Sequence, residues 1–256
     1  MSQHGPKQPV TAAILVIGDE ILSGRTQDTN TAYIAKFLGA LGIDLKEARV
    51  VPDAEGEIVA ALNALRARYT YVFTTGGIGP THDDITADCV AKAFGVSIDV
   101  DPRALAILHE RLAATGAEMN EARLRMTRIP KGADLVLNKV SGAPGMWLEN
   151  VIVMAGVPSI MQAMLDEVAP KLKTGVRMLS ETIRADAREG DIGSQLGEIA
   201  RANPQIAIGS YPFFDPQQGP NTNVVLRGRD AAKLATAKTA VEEMLARVRG
   251  AQTSKA

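Results

Sequence analysis

Residues Tyr71 to Gly95 read YVFTTGGIGPTHDDITADCVAKAFG, and this stretch decides the fold. Tyr71 to Thr75 is a short run of aromatic and β-branched residues, the composition of a buried strand. Gly76, Gly77 and Gly79 follow within four positions, and two adjacent aspartates, Asp83 and Asp84, then stand at a helix start. Open α/β folds hold phosphates with a strand, a glycine loop and a helix in this order.

Working outward, the same alternation continues on both sides. Thr11 to Ile17 is a continuous apolar run closed by Gly18, as expected of a central strand buried on both faces. Asp28-Thr29-Asn30 offers capping side chains to a helix whose face carries Ile34, Phe37, Leu38 and Leu41. Ile43 to Val51 is a second strand, and Ile58, Leu62, Leu65 and Tyr69 mark a second helix. Strands alternating with helices predict βαβ units and a mainly parallel sheet. Beyond Gly95, Val96 to Val100 is a short strand. Asp101-Pro102 reads as an N-cap followed by proline at the first helical position. Asn120 caps a further helix that carries Arg123, Arg125 and Arg128 and ends at Pro130. Met146 to Leu148 and Val151 to Met154 flank a hairpin turn at Glu149-Asn150.

From about Thr174 the pattern becomes strand, helix, strand, strand, helix, which predicts a small α+β domain. Residues 212–221, rich in Pro, Gly and Gln, are expected as a loop between its last two strands. The expected organisation is a disordered tail at 1–10, an α/β domain at 11–172, the small domain at 173–250 and a second tail at 251–256. The N-terminal residues have no apolar core and do not read as a secretory signal.

The chain has 256 residues, 46% hydrophobic and 22% charged, with net charge −1. That is ordinary for a soluble globular protein and gives no global attraction to nucleic acid or anionic membrane. No apolar run reaches membrane-spanning length, which leaves the cytoplasm as the expected location. One cysteine, Cys89, excludes an intrachain disulfide and a multi-cysteine metal site. It falls on the apolar side of its helix and reads as a small buried hydrophobe.

Glycine lets backbone N–H groups approach a ligand closely, and such amides near a helix start make an anion site. Asp83 and Asp84 would repel that anion unless a cation lies between them. Mg²⁺ suits such a place, since it takes one or two carboxylates and phosphate oxygens. The bland reading of Thr81-x-x-Asp84 is a capping box. His82 in the same loop is either an exposed bystander or a phosphate contact. Glu20 after the first strand, Asp28 and Asn30 at the first helix, and Asp53 after the second strand all fall at carboxyl ends of strands, where open sheets collect ligands. Asn138 to Gly145 is a second small-residue loop, with Asn138 and Ser141 as candidate contacts. The arginines at 123, 125 and 128 are either a solvated face or a source of one phosphate ligand.

Several motifs in order carry a family resemblance: Gly18-Asp19-Glu20-Ile21-Leu22-x-Gly24, Asp28-Thr29-Asn30, Thr75-Gly76-Gly77-Ile78-Gly79-Pro80-Thr81-x-Asp83-Asp84-x-Thr86, Ala143-Pro144-Gly145 and Gly156-Val157-Pro158. Over about residues 11 to 170 the chain resembles the molybdopterin-binding-like domain of the competence/damage-inducible protein A family. It is similar as well to the corresponding domain of eukaryotic FAD synthase and to the molybdenum-cofactor proteins of the MoaB/MogA type. The resemblance implies a three-layer α/β/α sandwich, homo-oligomers (dimers or trimers) and a nucleotide or pterin ligand. It implies metal-dependent hydrolysis of ADP-ribose or FAD, with the glycine loop on the diphosphate and Asp83 and Asp84 on Mg²⁺ or a similar ion. Glu20 or Asp53 would complete the coordination or orient water. In the molybdenum branch, an aspartate matching Asp84 carries the chemistry. Gly18, Thr75, Pro80, Thr81, Thr86 and Gly145 join the ligand contacts on the same ground. Binding of a pterin nucleotide without turnover, and a catalytically silent regulatory module, are the alternatives. The family usually has Pro-Gly-Val-Pro-x-Glu where this chain has Ala155-Gly156-Val157-Pro158-Ser159-Ile160. Many relatives continue into a nicotinamide-nucleotide amidase domain, and no such activity is expected here.

Overall fold

The apolar run Thr11–Ile17 forms β1, fully inside from Ala12 onward. A computed structural model of the chain describes residues 9–253. The expected tail at 1–10 lies almost entirely outside those residues. After β1 come a short helix α1 (Asp19–Leu22), α2 (Asn30–Ala40), β2 (Asp44–Val51), α3 (Glu55–Arg66) and β3 (Tyr71–Thr75). Next are α4 (Thr86–Phe94), β4 (Ile98–Val100), α5 (Pro102–Thr115), α6 (Glu121–Arg125), β5 (Arg128–Pro130) and β6 (Asp134–Val136). The hairpin β7 (Gly145–Leu148) and β8 (Val151–Met154) leads into α7 (Pro158–Val168).

The main sheet has the order β2-β1-β3-β8-β7-β6. Its first four strands are parallel, and β7 and β6 add an antiparallel edge. Side chains alternate across β3: Val72 packs with Ile58, Leu62 and Cys89 on one face, while Phe73 packs with Ile34, Leu38 and Met161 on the other. The helices therefore form two layers, α3 and α4 on one side and α2 and α7 on the other. This is the α/β/α sandwich that the family resemblance implies, built on the mainly parallel sheet that the strand–helix alternation predicts.

The chain divides into two compact units after Gly175. The second contains β9 (Leu179–Arg184), α8 (Glu189–Ala202), β10 (Ala207–Asp215), β11 (Gly219–Gly228) and α9 (Ala231–Thr253). Its antiparallel sheet, ordered β10-β11-β9, packs Val224 and Leu226 against Ile192, Leu234 and Val241. The helix α9 runs on into the stretch 251–256 that reads as a tail. Among the described residues no helix is long and apolar enough to cross a membrane.

Local structure departs from the sequence reading in three places. Residues 212–221 are mostly strand, and the turn is only Pro216 to Gln218, closed by Asp215 Oδ1 accepting from the amides of Gln217 and Gln218. Prolines are tolerated there because Pro212 lies on an edge strand and Pro220 lies outside Asn223–Gly228, the part of β11 that pairs with β9. The three arginines do not share a helix: α6 ends at Arg125, and Arg128 pairs with Val100 in a two-stranded ribbon. Finally, α4 begins at Thr86 rather than at the aspartates.

Candidate functional site

The sheet order brings three loops together. The chain leaves β1 for β2 on one side and returns to β3 on the other, so the carboxyl ends of β1 and β3 flank a topological switch point. Gly76 holds them close: its φ is +104°, and a Cβ there would stand 2.1 Å from the carbonyl oxygen of Ile17. The Gly76 amide bonds Met154 O at 3.2 Å, which ties in the end of β8. Asn30 makes a further tie, its Nδ2 donating to Gly156 O at 2.7 Å.

The glycine loop is folded by its own residues. Thr86 is fully buried and donates its hydroxyl to Gly76 O (3.1 Å) and its amide to Gly77 O (3.0 Å). Thr75 is buried at the end of β3. Asp84 Oδ2 accepts from the Thr81 amide at 2.8 Å and from the Thr81 hydroxyl, closing the turn from 81 to 84. The capping-box residues thus close a turn ahead of the helix. Arg125 reaches the Asp84 carbonyl at 3.4 Å, and Arg128 makes a two-pronged pair with Asp88 at 2.8 and 2.6 Å. Arg128 is therefore engaged in a structural ion pair. His82 is almost wholly in solvent.

A group of carboxylates lies beside this loop. Asp53 Oδ2 accepts from the Asp19 amide at 2.9 Å. Burial raises the Asp53 pKa, and the nearby carboxylates of Asp19, Glu20 and Asp83 push it the same way, against the hydrogen bond. Glu20 folds back over Gly18, where a Cβ would stand 2.4 Å from its Oε2. Asp83 is largely exposed.

Two candidate contacts are committed to scaffolding. Asp28 Oδ1 accepts from the amides of Asn30 and Thr31, so it caps α2 and fills that helix end. Asn138 is 9% exposed, and its Oδ1 accepts from Val140 N, Ser141 N and Ser141 Oγ while its Nδ2 donates to Ala143 O. The Asn138 amide thus organises its own loop. Gly145 is buried against Val153 O, where a Cβ would stand at 2.2 Å, and serves strand packing.

A cleft of about 650 Å³ opens above these strand ends. Of the expected residues, Glu20, Gly76, Gly77, Gly79, Pro80, Asp84 and Ser141 line it, together with Arg123. Gly18, Asp28, Asn30, Asp53, Thr75, Thr81, Asp83, Thr86, Asn138 and Gly145 do not line it. Apolar side chains line it too: Leu108 and Leu112 of α5, Met126, and Val157, Ile160 and Met164 around α7. That apolar lining is absent from the sequence reading. Leu108 and Leu112 carry a helical period, which marks a face without saying what covers it.

Two known families match the chain. The family described as "Probable molybdopterin binding domain" matches residues 13–174, and that described as "FAD synthase, middle domain" matches residues 177–249. A protein of Archaeoglobus fulgidus is 32% identical over 232 residues, covering 91% of this chain and 96% of its own. A CinA-like protein of Gemmatimonas aurantiaca is 34% identical over 241 residues, and this chain matches 89% of itself but only 56% of that protein. The crystal structure of the protein CinA of unknown function from Thermoplasma acidophilum superposes with TM-score 0.60 at 33% identity, over 64% of this chain and 99% of that one. The chain belongs to the molybdopterin-binding-domain family. Within it, the domain pairing and these relatives make it a member of the CinA type.

Proposed function

We propose that the cleft binds a dinucleotide or pterin-nucleotide diphosphate and hydrolyses ADP-ribose- or FAD-like compounds as their divalent-metal complexes. The observation that carries this reading is the juxtaposition of the Gly76–Gly79 backbone, the carboxylates of Glu20 and Asp84 and the guanidinium of Arg123 around one cleft. Glycine amides and Arg123 suit an anion, and the carboxylates suit a cation that accompanies it. The names of both matching families, with their molybdopterin and FAD, support a ligand of this class.

Among the described residues, no group of three or more His, Cys, Asp or Glu side chains is arranged to hold a metal. The ion is therefore read as part of the substrate. Asp84, with Asp83 beside it in sequence, would offer a carboxylate oxygen to an ion carried by the diphosphate. Such an ion polarises a phosphoryl oxygen and activates water. Asn30 Oδ1 is buried without a hydrogen-bond partner, an acceptor suited to a ligand N–H group or a water.

The incomplete donor set also favours a second reading, binding of a pterin nucleotide without turnover. Purified protein with Mg²⁺ or Mn²⁺ is expected to cleave ADP-ribose or FAD, and Asp84→Asn is expected to lower the rate at least about a hundredfold while leaving binding in place. If wild-type protein leaves both compounds intact with every divalent metal, hydrolysis is refuted. A fluorescent pterin released on denaturation would then support the second reading.

A further inference from the structure

Ile78 packs against both cores of the first unit, and beyond it the chain from Gly79 to Asp84 forms an arm whose middle, Pro80 to Asp83, is exposed. The hydrogen bonds of this arm are nearly all its own. The Thr81 amide and hydroxyl donate to Asp84 Oδ2, and the Asp84 amide donates to Thr81 O at 3.3 Å. The Asp84 carboxylate also lies over Gly79, where a Cβ would stand 2.7 Å from Oδ2, so the two ends of the arm are packed on each other. Among the described residues, one hydrogen bond reaches the arm from elsewhere in the fold: Arg125 Nη2 donates to Asp84 O at 3.4 Å. It is a long bond, strengthened by the charge on the donor.

Arg125 itself stands on a firmly held backbone. Thr127 is fully buried, and its carbonyl accepts from the Asp101 amide at 2.8 Å. Arg128 is fixed by its two-pronged pair with Asp88. Arg125 does not line the cleft. With Gly77, Gly79, Asp84 and Asp88 it lines a separate cavity of about 20 Å³, and Gly77, Gly79 and Asp84 line the cleft as well. The loop is therefore the wall between the two spaces, with Arg125 behind it. Arg125 Nε is buried without a hydrogen-bond partner, and a cavity of this size has room for one water to accept from it.

Resting on the diphosphate reading above, we infer that Arg125 is a positioning residue: it holds the Gly79–Asp84 arm from behind by the Asp84 carbonyl, and so sets where the Gly79 backbone and the Asp84 carboxylate stand for a phosphate–metal complex in the cleft. An exposed segment with few external contacts opens locally at low cost. A tether from a rigid element removes that freedom before the ligand arrives, which lowers the ordering cost of binding.

The test compares the full chain with Arg125→Met and Arg125→Lys by amide hydrogen exchange and by equilibrium binding of magnesium pyrophosphate, at a temperature where each is folded. Arg125→Met fills similar space without a donor. It should speed exchange at the Thr81 and Asp84 amides, leave Val72 and Phe73 in β3 unchanged, and weaken magnesium pyrophosphate by about five- to tenfold. Arg125→Lys can still donate to one carbonyl and should recover most of both effects. Arg125→Gln, too short to reach Asp84 O, replaces the methionine variant should that one fail to fold. Unchanged exchange at Thr81 and Asp84, or exchange that quickens equally in β3, overturns the inference. Faster exchange in the arm with unaltered pyrophosphate binding overturns its link to the cleft. If wild-type protein binds no magnesium pyrophosphate, the diphosphate reading fails, and the exchange data still decide whether Arg125 holds the arm.

Discussion

Replacing Gly76 by alanine tests the convergence of strand ends on which the site depends. Two costs are built into the position. Its φ of +104° is one that a residue with a Cβ rarely adopts, and holding alanine there costs about 1–3 kcal/mol. In addition, the new Cβ would stand 2.1 Å from Ile17 O, a backbone atom of a buried strand that cannot swing aside. Parting β1 from β3 to relieve that contact is an overpacking cost of about 1–3 kcal/mol more. The total, roughly 2–6 kcal/mol, is a large share of the 5–15 kcal/mol of a typical domain.

A control separates the two costs. Gly24 also has positive φ, +71°, but nothing lies within 4 Å of its Cβ position. Gly24→Ala should therefore lose only about 1–2 kcal/mol from backbone strain. The assay is urea unfolding followed by tryptophan fluorescence. The single tryptophan, Trp147, packs edge-on to Tyr71 with ring centroids 6.1 Å apart, so the signal reports the unit that contains the cleft. Gly76→Ala is expected to be the less stable variant by about 1–3 kcal/mol. It should also lose binding of nucleotide diphosphates at urea-free conditions where it remains folded. Equal unfolding free energies for the two variants would refute the close approach of the β1 and β3 ends.

Other outcomes follow from the same geometry. The raised pKa of Asp53 means that the folded state holds its proton longer than the unfolded chain does, so stability is full at low pH and falls as pH rises through the folded-state pKa. Asp53→Asn, which can still accept from the Asp19 amide, should flatten that part of the pH–stability curve and raise the Tm of the metal-free protein near neutral pH. A lower Tm would show that the negative charge is stabilising. Cys89 is buried, and burial with the nearby carboxylates of Glu55 and Asp88 pushes its thiol up to about 12, so a disulfide reagent at pH 8 should label it only after unfolding. Asn138→Ala removes the acceptor of the Val140 and Ser141 amides and should cost about 1–3 kcal/mol, with faster hydrogen exchange at those two amides and little change in β3.

What was legible in the sequence is what local chemistry fixes. Asp101 caps α5, accepting from the amides of Arg103 and Ala104, and Asn120 caps α6, as their positions predict. The apolar runs at 11–17 and 71–75 form the central strands because both faces of the sheet are covered. The failures share a cause. Arg128 leaves the helix because its backbone pairs with Val100, 28 residues earlier, and residues 212–221 form strand because two distant runs meet across a hairpin. Neither partner is visible from the composition of the segment itself.

The same division runs through the cleft. The part of its lining from Gly76 to Pro80 is made of consecutive residues, with Asp84 just beyond, and a local string with glycine and aspartate at fixed spacing announces it. Its apolar lining is assembled from α5, Met126 and α7, which lie well apart in the chain and carry the same leucine, isoleucine and methionine signals as ordinary core. The glycine loop is thus written locally, while the apolar lining arises only when the fold closes. A family that keeps the glycine string and varies the helices can hold the reacting group fixed and change what is attached to it. Ala155 and Ile160, the two positions at which this chain departs from the motif of the family it resembles, both line the cleft.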